Sequence, residues 1–148
     1  VVNGYVVGEH GDSQVPVWSR VSVGGIPIET YCQNLEINWN EDIKNEIEIT
    51  TRNMGSERIN AKGKTHYGIA TVVCHIADAV INQRPMIASV SSPLMGEQGV
   101  RGVSLSVPSV IGPTGVQQRI REKWEPDEYR RFFDSVEKVS TILNHLDC

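Results

Sequence analysis

The pattern of hydrophobic and polar positions divides the chain into strand-like runs and helical stripes. Runs rich in Val, Ile and small residues that end at Gly or Pro are typical of short strands. They predict a strand over residues 1–7, two short strands joined at a Gly-Gly bend over 15–28, strands in MIASVSSPLMG and GVSLSVPSVIG, and a further short strand in GVQQRIREKW. GEQGVRG, between the second and third of these regions, predicts a hairpin-like turn.

Three segments carry the apolar spacing of a helix. Residues 41–53 have two isoleucines four apart among polar residues, which predicts a surface helix. Residues 64–82 carry the clearest stripe, with apolar side chains at i, i+3, i+4, i+7 and i+11 from Ile69, and Pro85 marks the end of this helix. A last helix is predicted over 126–146, because Pro126 and two acidic residues suit a first helical turn.

The order of strands, helices, strands and a final helix predicts an α+β domain. A length of 148 residues is that of one domain. The net charge of -4 gives no basic surface for nucleic acid, and no apolar run approaches the about 20 residues of a membrane helix. Neither a G-x-G-x-x-G nor a P-loop pattern occurs, so the chain is not predicted to cradle a nucleotide phosphate.

The cysteines and the first residue bear on cellular context. Three widely spaced cysteines form no C-x-x-C pair, which favours reduced thiols and a cytoplasmic protein over a disulfide framework. No signal peptide is recognisable at the start of the chain. Because residue 1 is Val and not Met, we expect this chain to be a piece of a longer protein.

The stretch GEHGDSQVPVWS, residues 8–19, places His10 in a turn between two apolar runs. Histidine is the side chain best suited to proton transfer at neutral pH. The flanking glycines, Gly8 and Gly11, permit a tight backbone and the close approach of a substrate. A hydrolytic triad with Asp12 and Ser13 is not expected, since residues two or three apart in one turn rarely form that relay. The isolated alternative is a surface histidine with no chemical role.

The whole stretch resembles the active-site signature of L-lactate dehydrogenases, in the lactate/malate dehydrogenase superfamily. KGKTHYGIA, residues 62–70, looks like the start of a helix in that family, and LSVPSVIG, residues 105–112, looks like its late strand. The resemblance covers residues 1–148 as the C-terminal catalytic domain alone. It implies a twisted, mostly antiparallel sheet with long helices, and it implies that the dinucleotide-binding Rossmann domain is absent from this chain.

The resemblance also implies roles for three residues. His10 matches the histidine that gives a proton to the pyruvate oxygen as hydride arrives from NADH, and that takes the lactate hydroxyl proton in reverse. Thr65 matches the threonine lining the substrate pocket, and Ile69 matches an apolar residue packed against the nicotinamide ring. No metal is implied. NAD is expected to be bound mainly by the missing domain, so the isolated chain is expected to be inactive.

Three further expectations follow from the resemblance. The Thr65 methyl group and the Gly8-Glu9 pair favour pyruvate, with malate or a branched-chain 2-hydroxyacid as the alternative substrate. Family members assemble as dimers or tetramers, so a fragment that acts only in oligomerisation is a second alternative. Many bacterial relatives bind fructose bisphosphate through a histidine at the position of Asn3, and the neutral Asn3 argues against that activation.

Overall fold

The computed structural model describes residues 1–62 and 66–146, and the side chains of residues 1–54 and 66–146. The described elements follow one another in the order β1 (Val2–Asn3), β2 (Val6–Val7), β3 (Val15–Pro16), β4 (Ser22–Val23), β5 (Ile26–Pro27), α1 (Ile28–Asn34), α2 (Glu41–Lys62), α3 (Tyr67–Ile81), β6 (Met86–Met95), β7 (Arg101–Gly112), β8 (Gly115–Arg119) and α4 (Pro126–Leu146).

The strands form three antiparallel sheets, in the orders β1-β4-β5, β2-β3 and β6-β7-β8. The long β6–β7 hairpin pairs Met86 with Ile111 at one end and Met95 with Arg101 at the other. Gly8 and Ser106 exchange both backbone hydrogen bonds, at 2.9 and 3.0 Å, and so join the end of β2 to the middle of β7. The predicted α+β fold with antiparallel pairing and long helices is confirmed.

The core lies between the β6–β7 hairpin, the β2–β3 hairpin and α4. Phe132 of α4 is fully buried, and Trp124 packs edge-on against its ring at a centroid distance of 5.1 Å. The other buried members are aliphatic residues of the strands and their connections: Val7, Val15, Val17, Leu94, Val100, Val103, Leu105 and Val107. Alternate positions of β7 enter this core, as expected for a strand with one buried face.

The first predicted strand is two strands in different sheets. Val2 pairs with Val23, whereas Val6 pairs with Pro16, because the chain changes partners at Gly4 and Tyr5. An apolar run shows which residues favour extended backbone, but not which partner each residue finds. The strand predicted over 15–28 is likewise divided, and its end enters the unpredicted helix α1 directly after Pro27.

Two helices differ from their predicted extent or environment. Helix α2 continues to Lys62, beyond the predicted end at residue 53, although apolar residues no longer recur at helical spacing there. The stripe of α3 is present but largely uncovered: Ile69 is 63% exposed, and Val72 and Val73 are each 57% exposed. Cys74, expected to be buried on this helix, is exposed. None of the described helices is both long and apolar enough to span a bilayer.

Candidate active site

His10 lies in the loop that closes the β2–β3 hairpin. Gly8 begins the loop with φ of 88°, a left-handed conformation that L side chains rarely adopt. The backbone N–H of Gln14 donates to the carbonyl of Gly11 at 3.2 Å and closes the turn. The expected tight glycine turn is therefore present. We call residues 8–13 the His10 turn.

The imidazole of His10 is exposed at the edge of a small cleft of about 210 Å³. The cleft is lined by side chains and backbone of β2, the His10 turn, β6 and β7: Val6, Val7, Gly8, Glu9, His10, Gln14, Ser89 and Ser106. The Ser89 hydroxyl donates to the carbonyl of Val6. The arrangement offers a solvent-accessible proton donor and acceptor beside a partly apolar wall.

Glu9, the neighbour of His10, is held by two side chains. Its carboxylate lies 2.8 Å from the ammonium of Lys138 and accepts a hydrogen bond from the Ser13 hydroxyl. Lys138, followed by Ser13, holds the pKa of the Glu9 carboxyl below its ordinary value of 4.5, and partial burial opposes them. The carboxylate is therefore ionised at neutral pH and faces away from a role as proton donor.

Ser135 of α4 is fully buried and forms a second anchor for the same turn. Its hydroxyl accepts a hydrogen bond from the backbone N–H of Glu9 at 2.7 Å and lies 3.3 Å from the Ser13 hydroxyl. A Cβ on Gly8 would lie 2.8 Å from this hydroxyl oxygen, and a Cβ on Gly11 would lie 2.9 Å from the Glu9 carboxylate. The two glycines thus leave room for the protein's own side chains.

Sequence reasoning missed Ser135 and Lys138. One signal was available for Ser135: it is a serine within the apolar stripe of the last helix, between Phe132 and Val136. Nothing in the local pattern singles out Lys138. The same geometry bears on the rejected triad, since the Ser13 hydroxyl contacts Glu9 and Ser135, whereas no contact with His10 is found among the described residues.

The other predicted site residues fall on or near α3. Ile69 lies in its first turn with its side chain largely exposed, and α3 packs against β7, the strand that also contacts β2. Thr65 lies outside the described residues. Asn3 is exposed in β1 and pairs with Ser22. Within residues 1–62 and 66–146, no three His, Cys, Asp or Glu side chains meet as a metal site.

Comparisons with known proteins identify relatives along the whole chain. Residues 1–146 match the family described as lactate/malate dehydrogenase, alpha/beta C-terminal domain. L-lactate dehydrogenase of Thermoanaerobacter sp. (strain X514) is 35% identical over 146 residues, which are 99% of this chain and 47% of the relative. L-lactate dehydrogenase of Lactococcus lactis subsp. cremoris (strain NZ9000) is 37% identical over 98% of this chain and 46% of the relative.

The fold has the same relatives. The crystal structure of a minor L-lactate dehydrogenase from Enterococcus mundtii superposes with a TM-score of 0.90 at 33% identity, covering 97% of this chain and 46% of that one. The chain thus spans about half the length of the relatives it matches. The resemblance inferred from residues 8–19 is confirmed, and the chain belongs to the lactate/malate dehydrogenase family as its α/β C-terminal domain.

Proposed function

We propose that this chain is the substrate-side domain of a cytoplasmic, NAD-dependent L-lactate dehydrogenase that interconverts pyruvate and lactate. The observation that carries the proposal is the exposed imidazole of His10, presented at a cleft by a turn that is anchored to α4. The names of the relatives, L-lactate dehydrogenase in each case, favour lactate over malate.

His10 supplies the proton chemistry in this proposal. Reduction of a ketone to an alcohol adds hydride to the carbonyl carbon and a proton to the carbonyl oxygen. In the forward direction the imidazolium of His10 gives its proton to the developing alkoxide; in reverse the neutral imidazole takes the hydroxyl proton of lactate. NADH supplies the hydride when it is bound.

The exposed face of α3 fits a nicotinamide only as an apolar wall. Ile69, Val72 and Val73 offer exposed hydrocarbon without a charged group among them, so they can pack on a ring but cannot hold phosphates. We therefore assign the phosphate and adenosine contacts, the carboxylate anchor of the substrate and the charge partner of His10 to the half of the relatives that this chain does not span. The 148-residue chain alone is then expected to be inactive.

Thr65 is proposed to select the substrate. Its methyl group narrows the pocket, which suits the methyl end of pyruvate better than the carboxymethyl end of oxaloacetate. A malate or branched-chain 2-hydroxyacid dehydrogenase is the alternative within the same chemistry. Assembly as a homodimer or homotetramer is part of the proposal, and the exposed apolar residues Ile87, Met95 and Leu146 favour such contacts.

The test is a steady-state assay of the full-length protein that carries this chain, with NADH and either pyruvate or oxaloacetate. We expect pyruvate to be preferred, and His10→Asn to lower kcat at least about 10²-fold, as for loss of a general acid. His145→Asn is the matched control, because the His145 ring contacts only the Thr141 carbonyl of its own helix among the described residues. Full activity in His10→Asn, or a preference for oxaloacetate, would overturn the assignment.

A further inference from the structure

We infer that Lys138 is a positioning residue for the proton donor: it fixes the His10 turn through the carboxylate of Glu9. This inference rests on the proposed role of His10 and extends it to α4, which carries no group that touches substrate. The reasons are the geometry of the ion pair, a second contact from the same helix face, and the free state of the imidazole itself.

The ion pair joins the turn to α4 directly. The ammonium of Lys138 lies 2.8 Å from Glu9 Oε2, a distance that makes it a charge-assisted hydrogen bond. The same carboxylate oxygen accepts the Ser13 hydroxyl, so Glu9 links both ends of the turn to one cation. Exposed ion pairs contribute little on average, but this carboxylate is only 24% exposed and is held by two donors.

Ser135 makes the contact with α4 a two-point attachment. Residues 135 and 138 are one helical turn apart and therefore lie on the same face of α4. Ser135 binds the backbone N–H of Glu9, and Lys138 binds its side chain. Backbone and side chain of one residue are thus fixed by one rigid element, and rotation of the turn about either contact is prevented by the other.

His10 depends on this attachment because its own ring has no anchor in the described part of the chain. No hydrogen bond or ion pair of the imidazole is found there, and the side chain is exposed. Its position is then set by the backbone of the turn, one peptide bond away from Glu9. Freeing the Glu9 carboxylate lets the turn move relative to the cleft, and small displacements of a catalytic group lower the rate steeply.

The experiment compares Lys138→Met with Lys138→Arg in the full-length protein. Methionine keeps the length and apolar stem of lysine but removes its charge, whereas arginine retains a cation. Arg130→Met is the matched control on the same helix, since the Arg130 ion pairs with Asp127 and Asp134 stay within α4. One readout is hydrogen exchange of the backbone amides of residues 9–13, and the other is the kinetics of pyruvate reduction.

For Lys138→Met we expect amide exchange in the turn to rise about tenfold and kcat to fall about tenfold, with KM for pyruvate changed less than about twofold. Lys138→Arg should restore both, and Arg130→Met should change neither. In the Glu9→Gln background, Lys138→Met should add almost no further loss, because the two residues act as one unit. Additive losses there would overturn the inference.

The two proposals fail in different ways. Unchanged exchange in Lys138→Met shows that the ion pair does not hold the turn, whatever the enzyme does. Increased exchange with unchanged kcat shows that the turn is held but that His10 does not depend on it, which also overturns the positioning role. If the wild-type protein reduces no keto acid, the proposed function fails, while the exchange data still decide whether Lys138 anchors the turn.

Discussion

The hydroxyl of Ser135 accepts a hydrogen bond from the backbone N–H of Glu9 over 2.7 Å, although the two residues lie 126 positions apart. The contact ties the last helix of the domain to the turn that presents His10. Because Ser135 is fully buried, no water can replace it as a partner without opening the core. Helix α4 is therefore part of the framework of the site as well as of the core.

Gly8 makes that contact possible, and replacing it is expected to be costly. In Gly8→Ala the new Cβ must adopt φ near 88° and lies 2.8 Å from Ser135 Oγ. We expect a loss of about 1–2 kcal/mol from backbone strain and a further loss of about 1–3 kcal/mol from overpacking. Urea denaturation of the two proteins measures the difference in the free energy of unfolding.

Gly25→Ala is the control for backbone strain alone. Gly25 has a φ of 85°, but nothing lies within 4 Å of an added Cβ. It should therefore lose only the strain contribution. Equal losses in the two variants would show that the close approach of Ser135 does not matter.

The Glu9–Lys138 ion pair predicts a specific pH dependence of stability. The pKa of Glu9 is lowered in the folded protein, chiefly by Lys138, so its stabilisation is complete above the ordinary value of 4.5 and is lost as pH falls through the folded pKa. The stability difference between wild type and Lys138→Met should be greatest near neutral pH and should shrink as the pH drops below 4.5. Thermal unfolding at a series of pH values measures it; a difference that grows in acid would contradict the assignment.

Glu48 is a nearly buried carboxylate that joins α2 to α4. It lies 2.8 Å from Arg52 of its own helix and also accepts a hydrogen bond from Arg131 of α4. Glu48→Gln leaves two guanidinium groups without a counter-charge, so we expect a loss of about 2–4 kcal/mol in unfolding free energy. Glu41→Gln, which breaks an exposed pair with Lys44, should cost about 0.5 kcal/mol or less. Chemical denaturation distinguishes the two, and similar small losses would show that Glu48 is well solvated.

Ile69 should affect cofactor binding without affecting the fold of this domain. Its side chain is 63% exposed, so Ile69→Ala removes little buried surface, and alanine suits a helix. If a nicotinamide ring packs on it, the Kd for NADH measured by fluorescence titration of the full-length protein should rise about fivefold to tenfold. Ile142→Ala, at a 52% exposed position of α4, is the control and should leave the Kd unchanged. An unchanged Kd in Ile69→Ala would remove Ile69 from the site.

Much of the fold is predictable from periodicity, because α3, α4 and the β6–β7 hairpin carry long, regular patterns. Helix α1 could not be found in this way, since Cys32 is its one buried residue and no stripe forms. The pattern of α3 predicts the helix, but not that Ile69 remains exposed. Periodicity reports which face is apolar, whereas exposure depends on what covers that face.

The site was predictable only in part, for a related reason. His10 stands in a compact motif whose residues are neighbours in sequence. Its supports, Ser135 and Lys138, come from the far end of the chain, and only the packing of α4 on the β2–β3 hairpin brings them to Glu9. A contact between one helix face and one loop leaves no local spacing to detect.

The most direct test of His10 as the proton-transfer residue is the pH dependence of kcat/KM in both directions. Reduction needs the protonated ring and oxidation needs the neutral ring, so as pH rises through the range in which histidines titrate, kcat/KM for pyruvate should fall and kcat/KM for lactate should rise. In His10→Asn the residual activity should lose both trends. Parallel pH profiles in the two directions, or opposite profiles that persist in His10→Asn, would contradict the assignment.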